Sequence, residues 1–98
     1  MKLWLDDTRP APEGWTWAKT VEEAKRLLRT GQVERASLDH HLGPGQEDGR
    51  VLVHWMAKEK LWPKERPTVH SSDPLGAAHM RAVIDMYGPY EKKGDSGE

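Results

Sequence analysis

Three residues that can do chemistry stand in a row at Asp39-His40-His41, between the apolar run Ala36-Ser37-Leu38 and the turn-forming Leu42-Gly43. Packing alone does not call for a carboxylate followed by two imidazoles. A carboxylate can hold a hard cation, and histidine can take or give a proton near neutral pH. Two other stretches end in the same way: Met1–Leu5 leads into Asp6-Asp7-Thr8-Arg9, and Pro67-Thr68-Val69 leads into His70-Ser71-Ser72-Asp73. If the three apolar runs are neighbouring parallel strands, their polar ends meet on one edge of a sheet. The crevice beyond the carboxyl ends of such strands is where α/β proteins bind ligands.

Asp6, Asp7 and Asp39 would bring three carboxylates to adjoining strand ends. Like charges so placed need a cation or a raised pKa to relieve them. A divalent cation, magnesium first and manganese second, answers that need with carboxylate, water and phosphate ligands. Helix capping is the plainer role for the same residues. His40 and His41 project in opposite directions if the chain stays extended, so one would face the crevice while the other packs or meets solvent. His70, Ser71 and Ser72 precede a helix start, whose free N–H groups suit an anion, and Arg9 can clamp a phosphate. Asp73 caps that helix and opposes an anion there. His54 and His79 fall on helices away from the strand ends and are read as structural. Trp15 and Trp17 share a face; core packing is the expectation, with a base-stacking platform as the alternative.

The elements that must position these residues are legible in turn. Lys2–Leu5 reads as a central strand, and Pro10 and Pro12 then forbid a helix before a short second strand over Trp15–Ala18. Thr20 with Glu23 forms a capping box, and Val21, Ala24, Leu27 and Leu28 form one helical apolar face that Gly31 ends. Val33–Leu38 is the strand entering Asp39. After a glycine-rich loop, Asp48 caps a helix over Gly49–Lys60, with Leu52, Trp55 and Met56 inside and Val51 beside them. Pro67–His70 is the last strand, and Asp73-Pro74 starts the last helix, with Ala77, Met80, Val83, Ile84 and Tyr87 as its buried face. The order β-β-α-β-α-β-α predicts an α/β fold of three layers: a parallel sheet of about four strands, order 2-1-3-4, with three helices. Residues 1–90 form the single domain and 91–98 a charged tail.

Composition narrows the function classes. Ninety-eight residues with 36% apolar content allow one thin core, and five tryptophans without phenylalanine point to indoles filling much of it. Fifteen basic and 16 acidic residues leave a net charge of −1, so bulk electrostatic capture of nucleic acid is not supported. Cysteine is absent, which excludes disulfides and thiolate zinc sites. No apolar run approaches membrane-spanning length, and a soluble, cytoplasmic protein without membrane partners is the expectation.

Asp6-Asp7-x-Arg9-x-x-Pro12, Ser37-Leu38-Asp39-His40-x-Leu42-Gly43 with Gly49 after it, and Val69-His70-Ser71-x-x-Pro74 together resemble the cyclic-phosphate-processing receiver-like domains, a divergent branch related to response-regulator receivers. The resemblance covers about residues 1 to 88 and implies a truncated receiver or flavodoxin-like fold. It implies that Asp6 and Asp7 are metal-binding acids with Asp39 at the phosphoacceptor position, and that Ser71 lies near the receiver hydroxyl. No fifth strand with the receiver lysine is evident, so phosphorelay is not the expected role. The branch processes cyclic phosphates in RNA-repair settings. Two positions depart from its pattern: His41 replaces the second acid of Asp-His-Asp, and Asp73 replaces the usual asparagine before proline. An imidazole at position 41 admits softer transition metals.

The expected function is therefore a metal-assisted phosphoesterase acting on a cyclic or terminal phosphate, carried by a small molecule or an RNA end. Asp6, Asp7 and Asp39 would hold the metal; Asp39, His40 and His70 would be catalytic; Arg9, His41, Ser71 and Ser72 would bind the phosphate. The alternative is a non-enzymatic receiver-like module that binds metal and phosphate, or a protein partner, without turnover.

Overall fold

The computed structural model describes residues 1–91. The tail expected over 91–98 lies outside the described residues apart from Glu91, whose carbonyl accepts from Arg66 at 2.9 Å. The elements are β1 (Lys2–Leu5), β2 (Trp15–Ala18), α1 (Val21–Leu28), β3 (Arg35–Leu38), α2 (Gly49–Glu59), β4 (Thr68–Val69) and α3 (Pro74–Tyr87). They form one parallel sheet in the order β2-β1-β3-β4, as the sequence predicts.

Local chemistry explains the helix boundaries. The Thr20 hydroxyl accepts from Glu23 N–H at 3.1 Å, and Glu23 reaches back to Lys19 N–H at 2.7 Å, one residue beyond the usual capping-box donor. Asp48 accepts from Arg50 N–H at the start of α2, and Asp73 accepts from Leu75 and Gly76 N–H at the start of α3. Helix α2 stops one residue earlier than expected, because Lys60 turns left-handed at φ 56°.

The layering differs from the expected three. Helix α2 packs against both α1 and α3, so all three helices lie on one face of the sheet. The crossovers β2-α1-β3 and β3-α2-β4 run in the same direction along the sheet, and right-handed crossovers of one direction place their helices on one side. Leu3, Leu5, Ala36, Leu38 and Val69 are buried, together with Val21, Ala24, Leu28, Leu52, Val53, Met56, Met80 and Ile84. The fully buried core is aliphatic, and Trp55 and Trp62 pack against it partly buried. Trp4 and Trp15 are half-buried, and Trp17 is 36% exposed. Registered with Lys2 and Trp4, Trp15 and Trp17 share their sheet face, opposite Leu3 and Leu5. Their expected core role thus falls to aliphatic side chains, because the helices cover the other face. Two further positions trade places: Val51 is exposed while Val53 is buried, and Tyr87 is 60% exposed. Among the described residues no helix is long and apolar enough to cross a membrane.

Candidate active site

Register brings the strand ends level. Leu5 pairs with Leu38, and Leu38 pairs with Val69. The next residues in each strand are Asp6, Asp39 and His70. The ladder continues through them: Asp39 N–H donates to Leu5 carbonyl at 3.0 Å, and His70 N–H donates to Leu38 carbonyl at 2.9 Å. Aligned residues of a pleated sheet project from the same face, so these three side chains converge. Asp6, Asp39 and His70 each offer one ligand atom, and these atoms lie within 4.8 Å of one another. Asp7 alternates to the other side and stands outside this group, half-buried near Gly43.

Asp6 is fully buried, yet well satisfied. Its Oδ1 accepts from Thr8 N–H at 2.9 Å and Arg9 N–H at 2.8 Å, and its Oδ2 lies 2.9 Å from His70 Nε2. Burial pushes the carboxyl up, but the Arg9 and Thr8 N–H groups and the adjacent His70 outweigh it and hold Asp6 below its ordinary range. The site therefore keeps a fixed negative charge. His70 is clamped on every side: its Nδ1 lies 2.8 Å from the Ser37 hydroxyl, and its ring stacks on Trp4 at 4.1 Å and 6°. Residues 4, 37 and 70 share one face by the same alternation that aligns the strand ends. Trp4 reads in sequence as ordinary strand filling, and Ser37, though it opens the Ser37-Leu38-Asp39-His40 motif, has no role of its own there. Ser37→Ala should cost about 1 kcal/mol of stability, measured by urea unfolding, by removing the partner of a half-buried ring nitrogen.

Two indoles hold the loop after β1. Trp4 Nε1–H donates to the Arg9 carbonyl at 2.9 Å, and Trp17 Nε1–H donates to the Asp6 carbonyl at 2.7 Å. Arg9 in turn donates to the His70 carbonyl at 3.3 Å, with its side chain half-exposed. Asp39 is buried, and its Oδ1 accepts from His40 N–H at 2.8 Å. Among the described residues its Oδ2 takes no hydrogen bond, and no lysine pairs with Asp6 or Asp39. The described sheet ends at β4, without a fifth strand.

Beyond Asp39 the chain leaves the sheet, so His40 and His41 do not project oppositely as a continued strand would make them. Their rings lie 4.4 Å apart, and both approach Asp73 Oδ2, His40 Nδ1 at 3.2 Å and His41 Nε2 at 3.1 Å. His40 and His70, expected to share proton transfer, thus fall in different groups of ligand atoms. His40 Nε2 faces Asp48 Oδ2 at 3.4 Å. Burial raises the Asp48 carboxyl, but Arg50 and His40 outweigh it and hold it low. Asp73 is held low by Gly76 N–H first, with His40, Leu75 N–H and His41 adding to it. The two departures from the motif pattern, His41 and Asp73, are hydrogen-bonded to each other.

The phosphate-side residues are placed more loosely. Ser71 accepts from Asp73 N–H at 3.0 Å and keeps its hydroxyl proton to donate. Ser72 is exposed. The N–H groups of Leu75 and Gly76, which could have met an anion, are taken by Asp73. His54 and His79 meet on the surface between α2 and α3, with Nε2 atoms 2.9 Å apart.

No curated protein matches the chain. The family described as Cyclic-phosphate processing Receiver domain matches residues 1–86. The match spans the whole sheet, both strand-end carboxylates and His70, so the chain belongs to the family of cyclic-phosphate processing receiver domains.

Proposed function

We propose that this domain is itself a metal-assisted phosphoesterase that opens or removes a cyclic or terminal phosphate, with an RNA end as its substrate. One observation carries the reading: Asp6, Asp39 and His70, from three different strand ends, present ligand atoms within 4.8 Å of one another. The donor set fits a divalent cation. It combines an ionised, buried carboxylate, a second carboxylate with a free oxygen, and an imidazole that admits manganese beside magnesium. Asp6 and Asp39 would hold the ion, with His70 beside them. When bound, the ion supplies polarisation of the phosphoryl oxygens and neutralisation of the charge that builds on them.

The chain's own residues do the rest. The Arg9 guanidinium, half-exposed beside His70, pairs with the phosphate. Ser71 donates its hydroxyl proton to a phosphoryl oxygen. His70 would exchange a proton through Nε2 once that nitrogen leaves Asp6 Oδ2 for the attacking water or the leaving ribose oxygen, with Nδ1 held by Ser37 and the ring by Trp4. Asp39 Oδ2, which no neighbour occupies, orients the attacking water.

The test is hydrolysis of a short RNA ending in a 2′,3′-cyclic phosphate, with magnesium, manganese or a chelator. Metal-dependent opening is expected, reduced about a hundredfold or more in Asp39→Asn and in His70→Ala. No opening under any condition, with metal still raising the melting temperature, would leave a binding module in its place. The hydrogen bond already joining Asp6 to His70 is what favours that second reading.

A further inference from the structure

We infer that the protein has a second metal site, for a transition-metal ion of zinc's class, formed by His40 Nδ1, His41 Nε2 and Asp73 Oδ2. These atoms lie within 4.8 Å of one another and share no residue with Asp6, Asp39 and His70. The inference stands independently of the phosphoesterase reading.

The first reason is His40. It is 5% exposed, and neither of its ring nitrogens makes a hydrogen bond. A polar side chain buried this deeply ordinarily has partners. Its Nδ1 lies 3.2 Å from Asp73 Oδ2 without hydrogen-bond geometry. Two such atoms, close together but not aimed at each other, are arranged as co-ligands are. Ligand atoms of a tetrahedral zinc site with bonds of about 2.0–2.1 Å stand about 3.3 Å apart. The His41 Nε2 to Asp73 Oδ2 distance, 3.1 Å, is of the same size, and this hydrogen bond would give way to coordination.

The second reason is how firmly the set is held. Asp73 Oδ1 is committed to the Leu75 and Gly76 N–H groups, which leaves Oδ2 facing both imidazoles. The ring of His40 lies against Gly76, where an added Cβ would come within 2.5 Å of Nδ1 and Cγ. Its far nitrogen, Nε2, faces Asp48 Oδ2 at 3.4 Å, and Asp48 is held by Arg50 at 3.0 Å. A carboxylate behind the non-coordinating nitrogen is the usual companion of a metal-binding histidine, and Asp48 stands in that place, at a 3.4 Å approach that is not a hydrogen bond here. The His41 side chain is 72% exposed, which gives an ion a way in and leaves a side open to water. Two imidazoles and one carboxylate suit zinc or its neighbours better than magnesium.

The test is zinc binding to the full chain, by competition with a chromophoric chelator in saturating magnesium. Cobalt is used in parallel, its visible bands reporting imidazole coordination. Wild type is expected to bind zinc. His41→Ala and Asp73→Asn are each expected to weaken that binding about tenfold or more and to lose the cobalt bands. Asparagine at 73 can still cap α3, and position 41 is exposed, so both variants should keep the wild-type circular dichroism spectrum. His79→Ala should bind zinc as wild type does. No zinc binding by wild type, unchanged affinity in His41→Ala and Asp73→Asn, or a loss that follows the surface pair at His79 would overturn the assignment.

Discussion

Asp6→Ala should remove about 3–5 kcal/mol of folding stability, because it deletes a fully buried carboxylate that takes hydrogen bonds from Thr8 N–H, Arg9 N–H and His70, each to such a group worth about 1.5–3 kcal/mol at most. Alanine would orphan the Thr8 and Arg9 N–H groups and leave His70 Nε2 without its partner at 2.9 Å. A domain of this size has about 5–15 kcal/mol in total, so the variant should sit near the edge of folding. Asp6→Asn keeps an oxygen for the two N–H groups but loses the charge and puts an NH2 donor where Oδ2 faced His70, and should cost about half as much. Asp6 also sets a pH dependence. Its folded pKa is lowered below the ordinary 3.8, so its ionised form contributes stability that is fully present above the unfolded value. That contribution is lost as pH falls through the folded pKa. Asp48 and Asp73 act in the same sense. Urea unfolding of wild type and Asp6→Asn at neutral pH and below pH about 3 checks both statements, since the gap between them should narrow in acid. A gap that stays constant with pH would show that the charge of Asp6 contributes nothing.

Gly49→Ala is expected to cost about 3 kcal/mol, at the upper end for overpacking a tight site. Gly49 opens α2, and its N–H donates to the His40 carbonyl at 2.7 Å. An added Cβ would collide with the Asp39 carbonyl oxygen and approach Met80 Cε to 2.7 Å. A methionine tip can swing aside, but a backbone carbonyl cannot move without carrying Asp39 and His40 with it. The substitution should therefore lower stability and disturb both groups of ligand atoms together. Gly45→Ala is the contrast: nothing lies within 4 Å of its Cβ position, and only its φ of +75° is strained. It should cost about 1–2 kcal/mol and leave the site intact. Thermal unfolding of the two variants separates crowding from backbone strain.

Much of the scaffold was readable from short-range chemistry. Thr20 with Glu23, Asp48 before Gly49, and Asp73 before Pro74 announce helix starts because each carries the oxygen that an uncapped N–H needs. The apolar runs before Asp6, Asp39 and His70 announce strands, and the alternation of elements announces a parallel sheet. The layering was less direct. A two-residue period marks the two faces of a strand but does not say which one receives the helices. Trp15 and Trp17 accordingly read as core and proved to lie on the other face, while Trp55 and Trp62 pack partly buried against the core.

The sequence by itself determined which residues stand at the strand ends and in what order the strands lie, because strand ends and helix caps are written in neighbouring residues. Only the tertiary structure decided which of those residues meet. Asp6 rather than Asp7 joins Asp39 and His70, because the level register of β1, β3 and β4 selects one parity of each strand. His40 and His41 turn together toward Asp73 because the chain leaves the sheet after Asp39, and the cap of a helix more than 30 residues later supplies the carboxylate between them. Contacts of that kind depend on packing across the whole domain, and no local pattern of residues encodes them.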